Sequence, residues 1–128
     1  MGTRSLTKIY DQFDGELICT MYCQFDGYPS GVGADIKKCL HGINVVNGYN
    51  CDTPKPFVNR MGKLAAYLVK NSDIDYEFQA GNDGGWIDYT YNLKFNEGKV
   101  FLELESFGKV IYSGLLDDFD PEMNEEED

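Results

Sequence analysis

Three segments with alternating apolar and polar residues in the second half of the chain constrain the fold most. They cover residues 86–95, 99–105 and 110–112, and a shorter one precedes them at residues 76–79. Alternation with a period of two gives each segment one apolar face, which is typical of half-buried β-strands. The links Asn96-Glu97-Gly98 and Phe107-Gly108-Lys109 are short and contain glycine, as hairpin connections do. This half of the chain therefore predicts an antiparallel meander.

The first half predicts a hairpin followed by two helices. Asp14-Gly15 separates strand-like runs at residues 5–10 and 16–25, and Asp-Gly in this position is a strong hairpin signal. Helices are predicted over residues 33–40 and 56–70, and residues 43–56 between them are predicted to form a loop. The second helix has apolar residues at helical spacing, namely Phe57, Met61, Leu64 and Leu68. The predicted architecture is α+β, with an antiparallel sheet of five to six strands and two helices packed on one face.

The net charge of −11 over 128 residues is concentrated at the C-terminal end. Residues 117–128 hold eight acids and no base, which leaves 14 acids against 11 bases in residues 1–116. We expect one α+β domain over residues 1–119 and a disordered acidic tail over residues 120–128. The tail is either a solvated end or an arm that offers its acids to a basic protein surface. No basic stripe accompanies it, so direct nucleic-acid binding is not expected.

The apolar runs and the cysteines indicate the compartment. No run approaches the ~20 apolar residues that span a membrane, and the first residues do not resemble a signal peptide. A cytoplasmic location without membrane contact is therefore expected, with reduced thiols. The four cysteines form no C-x-x-C pair, and the chain has a single histidine, His41. Neither a metal site, nor a cofactor, nor a catalytic residue is predicted.

The glycine-rich loop at residues 25–33 is the leading candidate site. It lies between a predicted strand and a predicted helix, where binding groups are often presented. Its three glycines indicate either a tight structural turn or an anion site at a helix N-terminus, although the loop lacks the P-loop and dinucleotide fingerprints. The only arginines of the chain, Arg4 and Arg60, either converge near this loop or form ordinary surface ion pairs. The loop residues assigned to the site are Asp26, Tyr28, Ser30, Gly31 and Gly33.

Three segments together resemble one protein family. They are MGTRSLT at the N-terminus, QFDGYPSG at residues 24–31 and NRMGKLAA at residues 59–66. They resemble a family of small proteins of uncharacterised activity in phages, giant viruses and bacteria, over roughly residues 1–70. The resemblance implies a phage or mobile-element setting, in which small acidic proteins often inhibit host defence. Relatives tend to carry a basic residue in place of Cys23 and a histidine in place of Val32, so a ligand site built on those groups would be incomplete here.

The aromatic residues of the predicted meander offer a second kind of site. An alternating set among Trp86, Tyr89, Tyr91, Phe95 and Phe101 would face away from the helices. Exposed aromatic residues mark partner surfaces, so Trp86 joins the predicted site with Arg4 and Arg60.

The leading hypothesis is a non-enzymatic binding protein, a phage-type accessory that inhibits a host defence protein by occupying its surface. Its partner would be a host protein, for example one of a nucleic-acid-handling or defence complex, and a second copy of the chain is a further candidate. The alternative is a binder of small nucleotide-like anions at the loop of residues 27–33, with Arg4 and Arg60.

Overall fold

The computed structural model describes residues 2–79 and 86–123. The described chain forms a mixed sheet, two α-helices, a π-helical turn at Pro29–Gly33 and a 3₁₀ turn at Leu116–Asp118. The helices are α1 (Ala34–Leu40) and α2 (Met61–Asn71). The strands are β1 (Ser5–Tyr10), β2 (Leu17–Cys23), β3 (Asn44–Val46), β4 (Phe57–Asn59), β5 (Glu77–Gln79), β6 (Tyr89–Asn96), β7 (Lys99–Ser106) and β8 (Lys109–Leu115).

The sheet is larger than predicted and is not purely antiparallel. Its strand order is β4-β3-β7-β6-β1-β2-β5, and β8 pairs with β7 as well. The hairpin of β1 and β2 and the meander of β6, β7 and β8 are antiparallel, which confirms those two parts of the prediction. In contrast, β1 runs parallel to β6, and β3 runs parallel to β4. Within the described residues the sheet therefore has eight strands rather than the predicted five or six.

One face of this sheet forms the core with both helices. Ile9, Leu93 and Leu102 lie next to one another in register on β1, β6 and β7, and all three are fully buried. The helices contribute buried residues to the same cluster, namely Ile36, Leu40, Met61, Leu64 and Leu68. Burying apolar side chains in this way is the main stabilising term of the fold.

The second helix begins five residues later than predicted. Residues 57–59 form β4 and pair with β3, and the backbone N–H of Arg60 donates to the carbonyl of Val46 at 2.7 Å. Arg60 then has φ +77°, which ends the strand before α2 starts at Met61. Consequently Phe57 belongs to a strand and not to the helical face on which the sequence placed it.

The C-terminal end of the described chain packs on the core. Phe119 is fully buried against Tyr112, with ring centroids 5.2 Å apart, and Met123 also contacts the core cluster. Most of the predicted acidic tail, residues 124–128, lies outside the described residues. None of the helices in residues 2–79 and 86–123 has the length and apolarity needed to cross a bilayer.

Candidate functional site

The parallel pairing of β1 with β6 brings several predicted site residues to one end of the sheet. The backbone N–H of Arg4 donates to the Asp88 carboxylate at 2.9 Å, and the Arg4 carbonyl accepts the N–H groups of Asp88 and Tyr89 at 3.0 and 3.2 Å. The carbonyl of Thr3 accepts the N–H of Gly27 at 2.9 Å. These bonds place Arg4 between the glycine-rich loop and the segment that carries Trp86.

Backbone amides of the glycine-rich loop form hydrogen bonds within the loop. The N–H of Val32 donates to the Asp26 carbonyl at 2.8 Å, and the N–H of Gly31 donates to the Tyr28 carbonyl at 2.8 Å. The Tyr28 hydroxyl donates to the Asp26 carboxylate at 2.9 Å, and this bond raises the pKa of Tyr28. An anion site at this turn would need free N–H groups, yet these two are already bonded and a carboxylate stands beside them.

Internal packing explains all three loop glycines. A Cβ on Gly27 would lie 2.8 Å from the Thr3 carbonyl oxygen, and a Cβ on Gly31 would collide with the Asp26 carbonyl. A Cβ on Gly33 would lie 3.1 Å from the ring of Phe119. Gly33 is buried in the core and therefore does not belong to a surface site, whereas Ser30 is exposed on the π-helical turn.

Two exposed aromatic residues stand beside Arg4. Trp86 is 67% exposed and Phe107 is 68% exposed, and their rings meet edge-on with centroids 6.1 Å apart. The indole Nε1 donates to Asp88 Oδ1 at 3.2 Å. Together with Gly2 and Arg4 they line a cleft of about 470 Å³. Among the described residues, no acid lies within 4.0 Å of the Arg4 guanidinium.

Phe107 occupies a position that its side chain does not favour. It has φ +52° and is followed by Gly108 at φ +80°, which is the pattern of a two-residue type I′ hairpin turn. Asn, Asp or Gly normally fill the first position of this turn, because a bulky side chain is strained at positive φ. Since Phe107 is also exposed, neither the turn nor the core explains why an aromatic residue is there.

An acidic cleft adjoins this aromatic surface. Phe25 is 59% exposed, and its ring lies against Gly2, which lines the cleft of Trp86. On its other side Phe25 lines a cleft of about 530 Å³ that also contains four carboxylates. They belong to Asp26, Asp73, Asp75 and Glu77. We call the surface formed by Arg4, Phe25, Trp86 and Phe107 the aromatic end.

Arg60 lies away from the aromatic end. The residue that follows it, Met61, donates its N–H to the Gln12 side chain at 3.0 Å, and Gln12 comes after β1 whereas Arg4 comes before it. At about 3.3 Å per residue, β1 separates the two arginines by about 20 Å. Arg60 lines a different cleft, with Phe13 and Lys63. The two arginines therefore do not converge near the loop.

The outer face of the sheet carries polar groups where the sequence predicted aromatic ones. Tyr91 is fully buried on the core face, and its hydroxyl donates to the Gly27 carbonyl at 2.7 Å. Of the five predicted aromatic residues, Trp86 is exposed, whereas Tyr89, Phe95 and Phe101 are partly buried. On the outer face, Asn92 bonds Tyr10 and Glu105, and Lys94 pairs with Glu103 at 2.6 Å.

Cys23, Cys39 and His41 are placed as structural groups, whereas Cys51 is exposed. The Cys39 thiol donates to the Asp35 carboxylate, and burial together with that carboxylate raises the Cys39 pKa to about 11, so the thiol is a poor nucleophile. His41 contacts Asp117 at 3.3 Å. Cys23 and Val32 are both buried in the core. Residues 2–79 and 86–123 contain no group of three or more His, Cys, Asp or Glu placed to hold a metal ion.

The sequence prediction named Trp86 and Arg4 as candidates and did not name Phe25 and Phe107, which the structure places beside them. The available signal for Phe107 was its position before glycine in a short link between two strands, where an aromatic residue is unusual. Comparison of the chain with protein-family models, with curated proteins and with solved structures found no match.

Proposed function

We propose that this chain is a non-enzymatic binding protein that occupies the surface of another protein with its aromatic end. The observation that carries the proposal is Phe107, which is exposed, strained at positive φ and in contact with Trp86. An exposed aromatic ring does not stabilise a solvent-facing turn, whereas it contributes binding energy in a protein interface.

The composition of the aromatic end matches that of interface hot spots. Trp, Tyr and Arg dominate the binding energy of many protein interfaces, and Phe is enriched there. Arg4 has no ion pair with a described residue, so its guanidinium is available to a partner carboxylate or carbonyl. The Trp86 indole is bonded to Asp88 and its ring contacts that of Phe107, and such contacts lower the entropy cost of ordering the two rings on binding.

The sequence resemblance supports a setting for this activity. In a phage or mobile-element context, the partner is a host protein in the host cytoplasm, and covering its surface inhibits it. The alternative of a nucleotide-like anion at residues 27–33 is less well supported, because the loop bonds its own amides and Arg60 lies about 20 Å from Arg4.

Affinity capture with matched variants tests the proposal. The double variant Trp86→Ala/Phe107→Ala is compared with the wild type and with Phe13→Ala, whose side chain is 70% exposed beyond the other end of β1. Extracts of the cells that naturally contain the protein supply the partner. Losing two hot-spot rings should weaken binding by at least about 2 kcal/mol, or roughly 30-fold.

We expect the wild type and Phe13→Ala to retain the same partner and the double variant to lose it, with melting temperatures alike in all three. Equal retention by all three proteins would move the interface away from the aromatic end. Retention of a small molecule instead of a protein would support the alternative.

A further inference from the structure

A basic segment stands out in this acidic chain. Residues 53–72 contain four of the eleven bases, Lys55, Arg60, Lys63 and Lys70, and no acid. Within residues 2–79 and 86–123, neither Lys63 nor Lys70 has an acidic group within 4.0 Å. Their charges are therefore not neutralised by a neighbouring side chain.

Strand β4 of this segment forms one wall of an aromatic groove, together with the loop after β3. The N–H of Gly48 donates to Asn59 Oδ1 at 2.7 Å, which holds the loop after β3 against β4. This bond places Tyr49 against Phe57, with ring centroids 5.0 Å apart and planes inclined by 42°. Tyr49 is 63% exposed, so most of its ring is open to solvent.

Helix α2 supplies the opposite wall. Lys63, Tyr67 and Lys70 follow one another at spacings of four and three residues and so share one face of the helix. The second exposed ring, Tyr67, thus has an ammonium group about one helical turn away on either side. The groove has a volume of about 380 Å³, within the range of small-molecule sites, and no acid of the described residues lines it.

We propose that this groove, which we call the Tyr67 groove, binds a small planar anion of nucleotide type. The rings of Tyr49 and Tyr67 stack on the planar base, and Lys63 and Lys70 bind the phosphate. Aromatic rings stack on any nucleobase, and lysine is a common phosphate ligand. An acidic peptide would satisfy the ammonium groups but would leave the faces of Tyr49 and Tyr67 unused.

This site is independent of the aromatic end, because the two surfaces share no residue. It also differs from the anion site that the sequence suggested at residues 27–33. Cations without acidic partners and exposed rings occur together in the Tyr67 groove, whereas the loop has bonded amides and a carboxylate.

Titration with adenosine 5′-monophosphate, followed by amide chemical shifts of the labelled protein, tests the proposal. Adenosine and inorganic phosphate are titrated separately. We expect adenosine 5′-monophosphate to bind saturably, with shifts confined to α2, β4 and the loop between β3 and β4, and both fragments to bind more weakly.

Lys70→Ala should weaken nucleotide binding about fivefold to tenfold and leave adenosine binding unchanged, since one charge-assisted phosphate contact is lost. Tyr49→Ala should weaken the binding of both.

Lys8→Ala and Trp86→Ala serve as controls. Lys8 lies on the outer face of β1 and Trp86 in the aromatic end, so both variants should bind the nucleotide like the wild type. The substituted groove side chains are solvent-facing, and far-UV circular dichroism checks that each variant is folded.

Several results would overturn the proposal. One is the absence of saturable binding at millimolar nucleotide. Another is equal affinity for nucleotide and inorganic phosphate, because this indicates an unspecific cationic patch. If Lys70→Ala and Tyr49→Ala both bind the nucleotide as tightly as the wild type does, the site lies elsewhere. Equal binding of a tetraglutamate peptide would assign the groove to acidic protein segments. None of these outcomes depends on the partner of the aromatic end.

Discussion

One buried hydrogen bond connects the glycine-rich loop to the sheet, and its removal gives a sharp test of how the loop is held. The Tyr91 hydroxyl donates to the Gly27 carbonyl at 2.7 Å, and both residues are buried. Tyr91→Phe removes the hydroxyl and keeps the ring that packs beside Gly33. The variant therefore leaves a buried carbonyl without this donor and opens no large cavity.

The expected loss follows from that geometry. A buried polar group that loses its partner costs about 1–3 kcal/mol of unfolding free energy. For a domain of this size, 1 kcal/mol corresponds to a change of about 4 °C in melting temperature. We therefore expect Tyr91→Phe to melt about 4–12 °C below the wild type.

Tyr28→Phe provides a matched control in the same loop. Its hydroxyl donates to Asp26 at 2.9 Å, a similar length, but this bond is exposed to solvent. Water replaces the lost partner, so the melting temperature should change by less than about 2 °C. Far-UV circular dichroism is the suitable probe, because the single tryptophan, Trp86, is exposed and reports poorly on the core. Equal changes in the two variants would refute the reasoning that burial decides the energy of these bonds.

Three further predictions concern the core, the loop and the thiols. Leu64→Ala should cost about 2–5 kcal/mol in urea unfolding, whereas the exposed neighbour Lys63→Ala should cost less than about 0.5 kcal/mol. Gly31→Ala should unfold or strongly destabilise the protein in thermal melts, because a Cβ there collides with a backbone carbonyl. With Ellman's reagent at about pH 8, exposed Cys51 should react first and Cys39 slowly, because a pKa of about 11 leaves about 0.1% of Cys39 as thiolate. The variant Cys51→Ser should therefore lose the fast phase of the reaction.

Local patterns predicted the local parts of the fold. Alternation and the Asp14-Gly15 turn identified the β1–β2 hairpin and the meander correctly, because a hairpin depends on residues close in sequence. The parallel pairing of β1 with β6 joins residues more than eighty positions apart and has no local signal. β3 and β4 are three residues long, and Phe57 also fits the helical period of α2, so the sequence alone favoured the wrong element.

The sequence named candidate site residues but did not indicate how the fold arranges them. Arg4 and Trp86 lie together because β1 and β6 start at the same end, which the sequence did not indicate. Gly33 was assigned to the site because glycine often marks backbone contact with a ligand, yet here it makes room for the ring of Phe119. The prediction that Arg60 and Arg4 converge rests on their positions in the segments that resemble a family, and the length of β1 separates them.

A variant of each proposed surface serves as a control for the other surface. Trp86→Ala removes a ring of the aromatic end and leaves the Tyr67 groove intact, while Lys70→Ala does the reverse. If protein capture depends on Trp86 and nucleotide binding depends on Lys70, each activity belongs to its own surface. If Lys70→Ala also releases the protein partner, the partner must extend over α2, or the nucleotide must take part in its binding. Adding adenosine 5′-monophosphate to the wild-type complex separates these cases. If the partner covers the groove, free nucleotide displaces it. If the partner and the nucleotide bind together, free nucleotide raises the affinity for the partner.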